Sequence, residues 1–156
     1  MSEPSSAPIA QALISYRMAI EAIHAAMDYG RANGVSLSIA VVDPSGHLVA
    51  AGRMDGASFI TIEIARGKAY ASVATGGQPG SALAQRYRDN PMVWGNVATL
   101  GYGAPLLPAA GSLPIFFDHK LVGAIAASGA PSEVDEAAVL RGILAIGATA
   151  AREGTK

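Results

Sequence analysis

The sequence predicts an α+β fold in which a single antiparallel sheet, built from two β-hairpins, carries helices packed against it. Two observations lead to this prediction. Two pairs of apolar, strand-like segments are each separated by only a short turn, and strands joined in this way run antiparallel. Segments with helical periodicity precede, separate and follow these pairs. The predicted order is therefore helix, hairpin, helices, hairpin, helix.

The N-terminal part is predicted to be a tail followed by the first helix. Residues 1–8 are rich in Ser and Pro and are typical of a flexible tail, which leaves residues 9–151 as one domain. From Ile9 onward apolar residues recur at steps of three and four, and Gly30 or Asn33-Gly34 ends the pattern. The predicted apolar face consists of Ile9, Leu13, Tyr16, Ile20, Ile23 and Met27.

The two hairpins are predicted from apolar runs that flank turn residues. All four runs are apolar on both sides, so either helices cover both faces of the sheet or another subunit covers one. The first turn has Pro in its second position and Gly in its fourth, as in type I turns. The hairpins are residues 35–42 and 47–54 around Asp43-Pro44-Ser45-Gly46, and residues 113–117 and 121–127 around the three-residue connection Asp118-His119-Lys120.

The remaining helices are predicted from capping residues and from the Gly residues that end them. Residues 90–108 hold several Gly and Pro residues and stay unassigned, apart from a candidate short helix. The predicted helices are residues 59–74 after an N-cap at Ser58, a short one from Ser81 to about Tyr87, the candidate at residues 92–100, and a last one from Ser132 to about Ala151.

The surface of a monomer would be short of charge. Charged residues make up 15% of the 156 residues, whereas about 25% is usual. We therefore expect other copies of the chain to cover part of the surface, which predicts a homo-oligomer. The alternative explanation for the low share of charged residues is a high Ala content, which raises the apolar count without creating exposed apolar patches that favour association.

Composition also excludes several kinds of partner and site. Eleven Lys and Arg against twelve Asp and Glu give a net charge of −1, so we expect no nucleic-acid partner. The absence of Cys excludes disulfides, thiolate metal sites and a Cys nucleophile. No secretion signal and no membrane-spanning run is evident, so we expect a cytoplasmic protein without a membrane partner.

Several segments, in the right order, resemble the GlcG/HbpS-like family, also called the haem-degrading domain family. The similarity extends over roughly residues 9–150. The chain departs from the family pattern at Ala110-Gly111-Ser112, at Asp118-His119-Lys120 and at Ala126-Ala127, where the family has additional Gly residues or a shorter turn. The resembling segments are residues 41–49, 53–57, 64–69, 111–115 and 122–130, followed by Asp135-Glu136.

The resemblance implies an α+β sandwich that assembles into homo-oligomers, with an octamer as one candidate. Members of the family are linked to haem binding, to corrinoid-related proteins and to operons for small organic acids and aromatic compounds. The resemblance therefore makes haem a candidate cofactor, although the sequence indicates no cofactor requirement. Because one fold hosts many functions, the resemblance alone does not select among these ligands.

Arg53 and Asp55 are the first candidate binding residues, because they flank the break between a strand and a helix. A guanidinium offers a planar fork that suits a carboxylate or a phosphate. The alternative is a local Arg53–Asp55 ion pair. Trp94 and Tyr102 are candidate binding residues too, because aromatic walls suit planar ligands.

Lys68, Glu63 and His119 are the candidate catalytic residues. A partly buried Lys68 could bind an anion or act as a base, although its stem could equally lie on apolar surface. His119 follows Asp118, which could orient the imidazole ring. The His residues lack metal-site spacing, so no metal site is predicted, and haem would need a single axial ligand and an apolar slot.

Three functional hypotheses follow. The first is a cytoplasmic homo-oligomer that binds a small organic or aromatic acid in a catabolic pathway, with Arg53 on the acid group. Whether it is an enzyme stays open; addition or removal of water, by a hydrolase or lyase without a cofactor, is the least demanding chemistry. The second is a haem-binding or haem-degrading protein, and the third is a non-catalytic accessory subunit.

Overall fold

The sheet has four antiparallel strands, in a computed structural model that describes residues 6–100 and 105–152. The strands are β1 (Ser38–Val42), β2 (Leu48–Arg53), β3 (Ser112–Phe117) and β4 (Lys120–Ser128). They lie in the order β2-β1-β4-β3, so the two predicted hairpins stand side by side and are joined through β1 and β4. The predicted α+β fold is confirmed.

Helices cover both faces of this sheet. The helices are α1 (Tyr16–Ala32), α2 (Thr61–Ala74), α3 (Gly80–Asp89), α4 (Pro91–Val97) and α5 (Ser132–Ala145). Strand residues alternate between the faces, and those on one face, such as Ile39 and Ile125, pack in one core with α1 and α5. Val42 and Ala126 on the other face pack against α2. The apolar character of the strands on both sides is thus explained within one chain.

The first helix begins later than predicted. It starts at Tyr16, because Ser15 acts as the N-cap and its hydroxyl accepts a hydrogen bond from Met18 N at 3.1 Å. Ile14 instead donates its backbone N–H to Val122 O of β4 at 2.9 Å. Ile9, which was expected on the buried face, is 92% exposed. The face that is buried combines Ile23, as predicted, with the smaller residues Ala19, Ala22, Ala26 and Gly30.

Other predicted boundaries also shift. The middle helix begins at Thr61 and not after an N-cap at Ser58, whose backbone carbonyl instead accepts a hydrogen bond from the Thr61 hydroxyl at 2.7 Å. The next helix begins at Gly80 without a capping side chain. The last helix ends at Ala145, because Gly147 turns the chain with φ +72° and Thr149 then pairs with β3.

The second hairpin has a two-residue turn and not the predicted three-residue connection. Lys120 already pairs with Phe117, so only Asp118 and His119 lie between the strands. Both residues have positive φ, 48° and 64°, as in the type I′ turn that matches the twist of hairpin strands. In the part of the chain that the structure describes, no helix has the length and hydropathy to cross a membrane.

Candidate functional site

A surface depression of about 520 Å³ lies where β2 ends. Its walls come from the end of α1, the segment that enters β1 and the segment that leaves β2. The chain turns sharply just beyond, at Gly56 with φ +90°, where a Cβ would lie 3.3 Å from the hydroxyl of Ser36. The lining residues are Met27, Arg31, Gly34, Val35, Ser36, Arg53, Met54 and Asp55.

The charged residues that line this depression are two Arg and one Asp, namely Arg31, Arg53 and Asp55. Arg31 is already paired with Asp28 at 2.8 Å. No carboxylate of the described residues, Asp55 included, lies within 4.0 Å of the exposed Arg53 guanidinium, so the alternative of a local Arg53–Asp55 ion pair is not formed. Arg53 can therefore bind an external acid group in bidentate fashion.

A second polar group is built around Lys68, inside the protein. The side chain is only 8% exposed, and its Nζ donates hydrogen bonds to Ala127 O at 3.1 Å and to Asp135 Oδ2 at 3.4 Å. Lys68 belongs to α2 and Asp135 to α5, so the pair links the helices on the two faces of the sheet. Gly111 leaves room for the Lys68 ammonium group, because a Cβ at this position would lie 2.8 Å from Lys68 Nζ.

The sequence did not single out Asp135 as the partner of Lys68. It indicated Asp135 as a helix-start residue after Ser132 and as part of a segment that resembles the family, and the Asp135 carboxylate does accept a hydrogen bond from the backbone N–H of Ala130 at 3.2 Å. Burial raises the pKa of Asp135 to about 6, against the lowering effects of the Lys68 charge and of the hydrogen bonds from Lys68 and Ala130. At neutral pH the carboxyl is therefore mostly ionised and pairs with Lys68.

Comparison with known proteins identifies the family. The family model described as haem degrading protein HbpS-like matches residues 14–144. This chain belongs to the HbpS-like family. The protein GlcG of Escherichia coli strain K12 is 33% identical over 117 residues, which cover 74% of this chain and 81% of GlcG.

Solved structures of similar proteins agree with this HbpS-like fold. A double mutant of Streptomyces reticuli HbpS superposes with a TM-score of 0.75 at 29% identity, over 90% of this chain and 97% of the other. The structure of a PduOC complex with haem superposes with a TM-score of 0.78 at 22% identity, over 88% of this chain and 98% of the other. The two likenesses support the same sheet and helix arrangement.

The HbpS-like fold does not bring the other candidate catalytic residues together. Glu63 is exposed on α2, away from the buried pair of Lys68. His119 lies in the turn before β4, whereas Arg53 shares a row of the sheet with Ser128 at the end of β4. His119 and Ser128 are nine residue steps apart along β4, a distance of roughly 30 Å at ~3.3 Å per residue. Arg53 and His119 thus lie at opposite ends of the sheet.

The aromatic candidates lie elsewhere. Trp94 is half-buried and packs beside the cluster of Leu83 and Leu106, with the Arg86 guanidinium 5.6 Å from its ring centre. Tyr102 lies outside the described residues. Within residues 6–100 and 105–152, no group of three or more His, Asp or Glu side chains is placed to hold a metal ion. The depression beside Arg53 and Asp55 is therefore the best-supported candidate for a ligand.

Proposed function

We propose that the protein binds a small organic or aromatic acid in the depression beside Arg53. The observation that supports this is Arg53, which has no ion-pair partner among the described residues and lines a depression whose volume, about 520 Å³, lies in the usual range of small-molecule sites. Met27, Val35 and Met54 supply apolar wall for the carbon skeleton of the acid. Asp55 and Ser36 offer hydrogen-bond acceptors for a hydroxyl group of the ligand.

The proposal is one of binding, within a cytoplasmic homo-oligomer that serves a catabolic pathway. Self-association is supported by the low charge and by exposed large apolar side chains such as Phe59 and Met92, each 77% exposed. An octamer is one count that native mass spectrometry can test. Any addition or removal of water would have to use groups at the depression itself, since Lys68 is engaged with Asp135.

Arg53→Ala is expected to weaken acid binding at least tenfold, because a charge-assisted bidentate contact contributes about 1.5–3 kcal/mol. Isothermal titration with benzoate and with succinate as probes measures the effect. Arg88→Ala is the matched control, since Arg88 is an exposed Arg of α3 far from this depression. Unchanged affinity in Arg53→Ala, or an equal loss in Arg88→Ala, contradicts the proposal.

Haem binding is the second candidate function, favoured by the description of the family and by the haem complex of PduOC. The residues at the depression fit haem in part. Arg53 can pair with one propionate, whereas Arg31 is already paired with Asp28, and Met27 carries a thioether of the kind that serves as an axial ligand. The Met54 sulfur is already engaged, because it accepts the backbone N–H of Leu37 at 3.3 Å.

A spectral titration with haem decides between the two candidates. If haem is the ligand, absorption shifts saturate at one haem per chain, and Met27→Leu, which keeps the volume, changes the spectrum of the bound haem. Acid binding without a saturable haem spectrum supports the first proposal. Binding of neither probe supports the accessory-subunit hypothesis and contradicts both.

A further inference from the structure

The two edges of the sheet differ in how they are protected. On the β3 edge, Pro114 has no N–H to offer, and Phe116 exchanges backbone hydrogen bonds with Thr149 at 2.8 and 2.9 Å. That edge is therefore closed by the chain itself. β2 forms the other edge, and no described segment lies along its outer side. An uncovered edge presents backbone donors and acceptors to any strand that can pair with it.

The outward backbone groups of β2 can be assigned from its ladder with β1. Met54 donates its N–H inward to Leu37 O at 2.9 Å. Because an antiparallel ladder alternates, Gly52 also points its N–H and C=O inward, whereas Ala51 and Arg53 point theirs outward. The irregularity of this ladder lies near the turn, between Val41 and Val42, and leaves the segment from Ala50 to Arg53 regular. Two consecutive outward positions are thus available.

The surface beside this edge is apolar. β2 has the sequence LVAAGR, in which Arg53 is the single charged residue and Pro is absent. Leu48 is 44% exposed and lies on the α2 face, because its pairing partner Val42 packs there. Phe59 and Ile60, directly before α2, are 77% and 50% exposed. Water contacts all these groups unless another strand and its flanking residues cover them.

We propose that a second copy of this chain covers the β2 edge, through antiparallel pairing of the two β2 strands about a two-fold axis at Gly52. A strand that pairs antiparallel with its own copy forms a symmetric interface, in which each partner contributes the same groups. With the axis at Gly52, Ala51 of one copy stands opposite Arg53 of the other. Every outward N–H and C=O of these residues is then paired, and the two sheets become one continuous sheet.

This register also separates the like charges. An axis at Arg53 would place the two guanidinium groups directly opposite one another, which is destabilising across strands. An axis at Ala51 would place Arg53 opposite Val49, at the irregular part of the ladder. Only the axis at Gly52 places each Arg53 beside a small, exposed side chain, that of Ala51. The register therefore predicts a specific pair that charge substitutions can test.

The test introduces a charged side chain at position 51 and measures the mass of the assembly in solution. Ala51→Lys places an ammonium opposite Arg53 of the second copy, and we expect the association to weaken about 2- to 30-fold, because the repulsion occurs twice in the symmetric pair. Ala51→Glu places a carboxylate there, and we expect it to retain the association. Light scattering and native mass spectrometry over a dilution series starting at about 100 µM measure both effects.

Ala74→Lys, at an exposed alanine of α2, is the matched control and should keep the wild-type mass. The inference rests on the proposed self-association but not on ligand binding. A monomeric wild type overturns both the self-association and the β2 interface. An assembly that Ala51→Lys leaves intact, or that Ala51→Glu disrupts equally, overturns the β2 interface alone. Circular dichroism of each variant shows whether the fold is retained, and the benzoate affinity of the wild type tests the Arg53 site separately.

Discussion

Lys68→Met is expected to lower the free energy of unfolding by about 3–5 kcal/mol, the usual cost of removing one partner of a buried ion pair. The substitution leaves the Asp135 carboxylate, which is 3% exposed, without its cation. Among the described residues, only the backbone N–H of Ala130 then remains as its hydrogen-bond donor. Chemical denaturation at pH 7 measures the loss.

The double variant Lys68→Met/Asp135→Leu tests whether the unpaired buried charge causes the loss of stability. Two apolar side chains of similar size leave no charge to desolvate, so we expect the double variant to recover most of the stability that the single variant loses. Lys120→Met is the control for a loss of charge alone, because Lys120 is exposed and its replacement should stay within about 0.5 kcal/mol of the wild type. If the double variant is no more stable than Lys68→Met, the buried charge is not the cause.

The fold could be predicted from the sequence because its hairpins are local. Each pair of strands is joined by a few turn residues, and both turns occur where the sequence predicts them. Helix boundaries were predicted less well. The apolar periodicity from Ile9 continues into α1, but a single hydroxyl, that of Ser15, sets the start of the helix and leaves Ile9 exposed. Periodicity does not reveal which of several Ser residues caps a helix.

The candidate site was harder to predict, because its contacts are distant in the chain. Arg53 could be found, since the end of a strand is a local feature. The Lys68–Asp135 pair joins residues 67 positions apart, and the strand order that brings them together is not encoded in any one segment. The same strand order places His119 at the other end of the sheet from Arg53. Arg53 and His119, which the sequence suggested as residues of one site, are therefore kept apart by the topology of the sheet.

Gly111→Ala is expected to lower the free energy of unfolding by about 3 kcal/mol, through backbone strain and overpacking together. Gly111 has φ +115°, a backbone conformation that residues with a side chain rarely adopt. A Cβ at this position would lie 2.8 Å from Lys68 Nζ and 3.1 Å from both Ala127 O and the Asp135 Cβ. Denaturant titration of the variant measures the loss. The matched control is Gly76→Ala, which also has a positive φ, +76°, but would place its Cβ in open space.

The control isolates the packing contribution. Gly76→Ala should cost only about 1 kcal/mol, the strain of a left-handed residue, so a similar cost at both positions contradicts the crowding. The cost at Gly111 should also depend on Lys68. Because Met is shorter than Lys and carries no atom at the Nζ position, Gly111→Ala should cost about 1 kcal/mol less in the Lys68→Met background than in the wild type. Strict additivity of the two substitutions would show that Gly111 and the buried pair are independent, and would remove the reason for a glycine beside Lys68 Nζ.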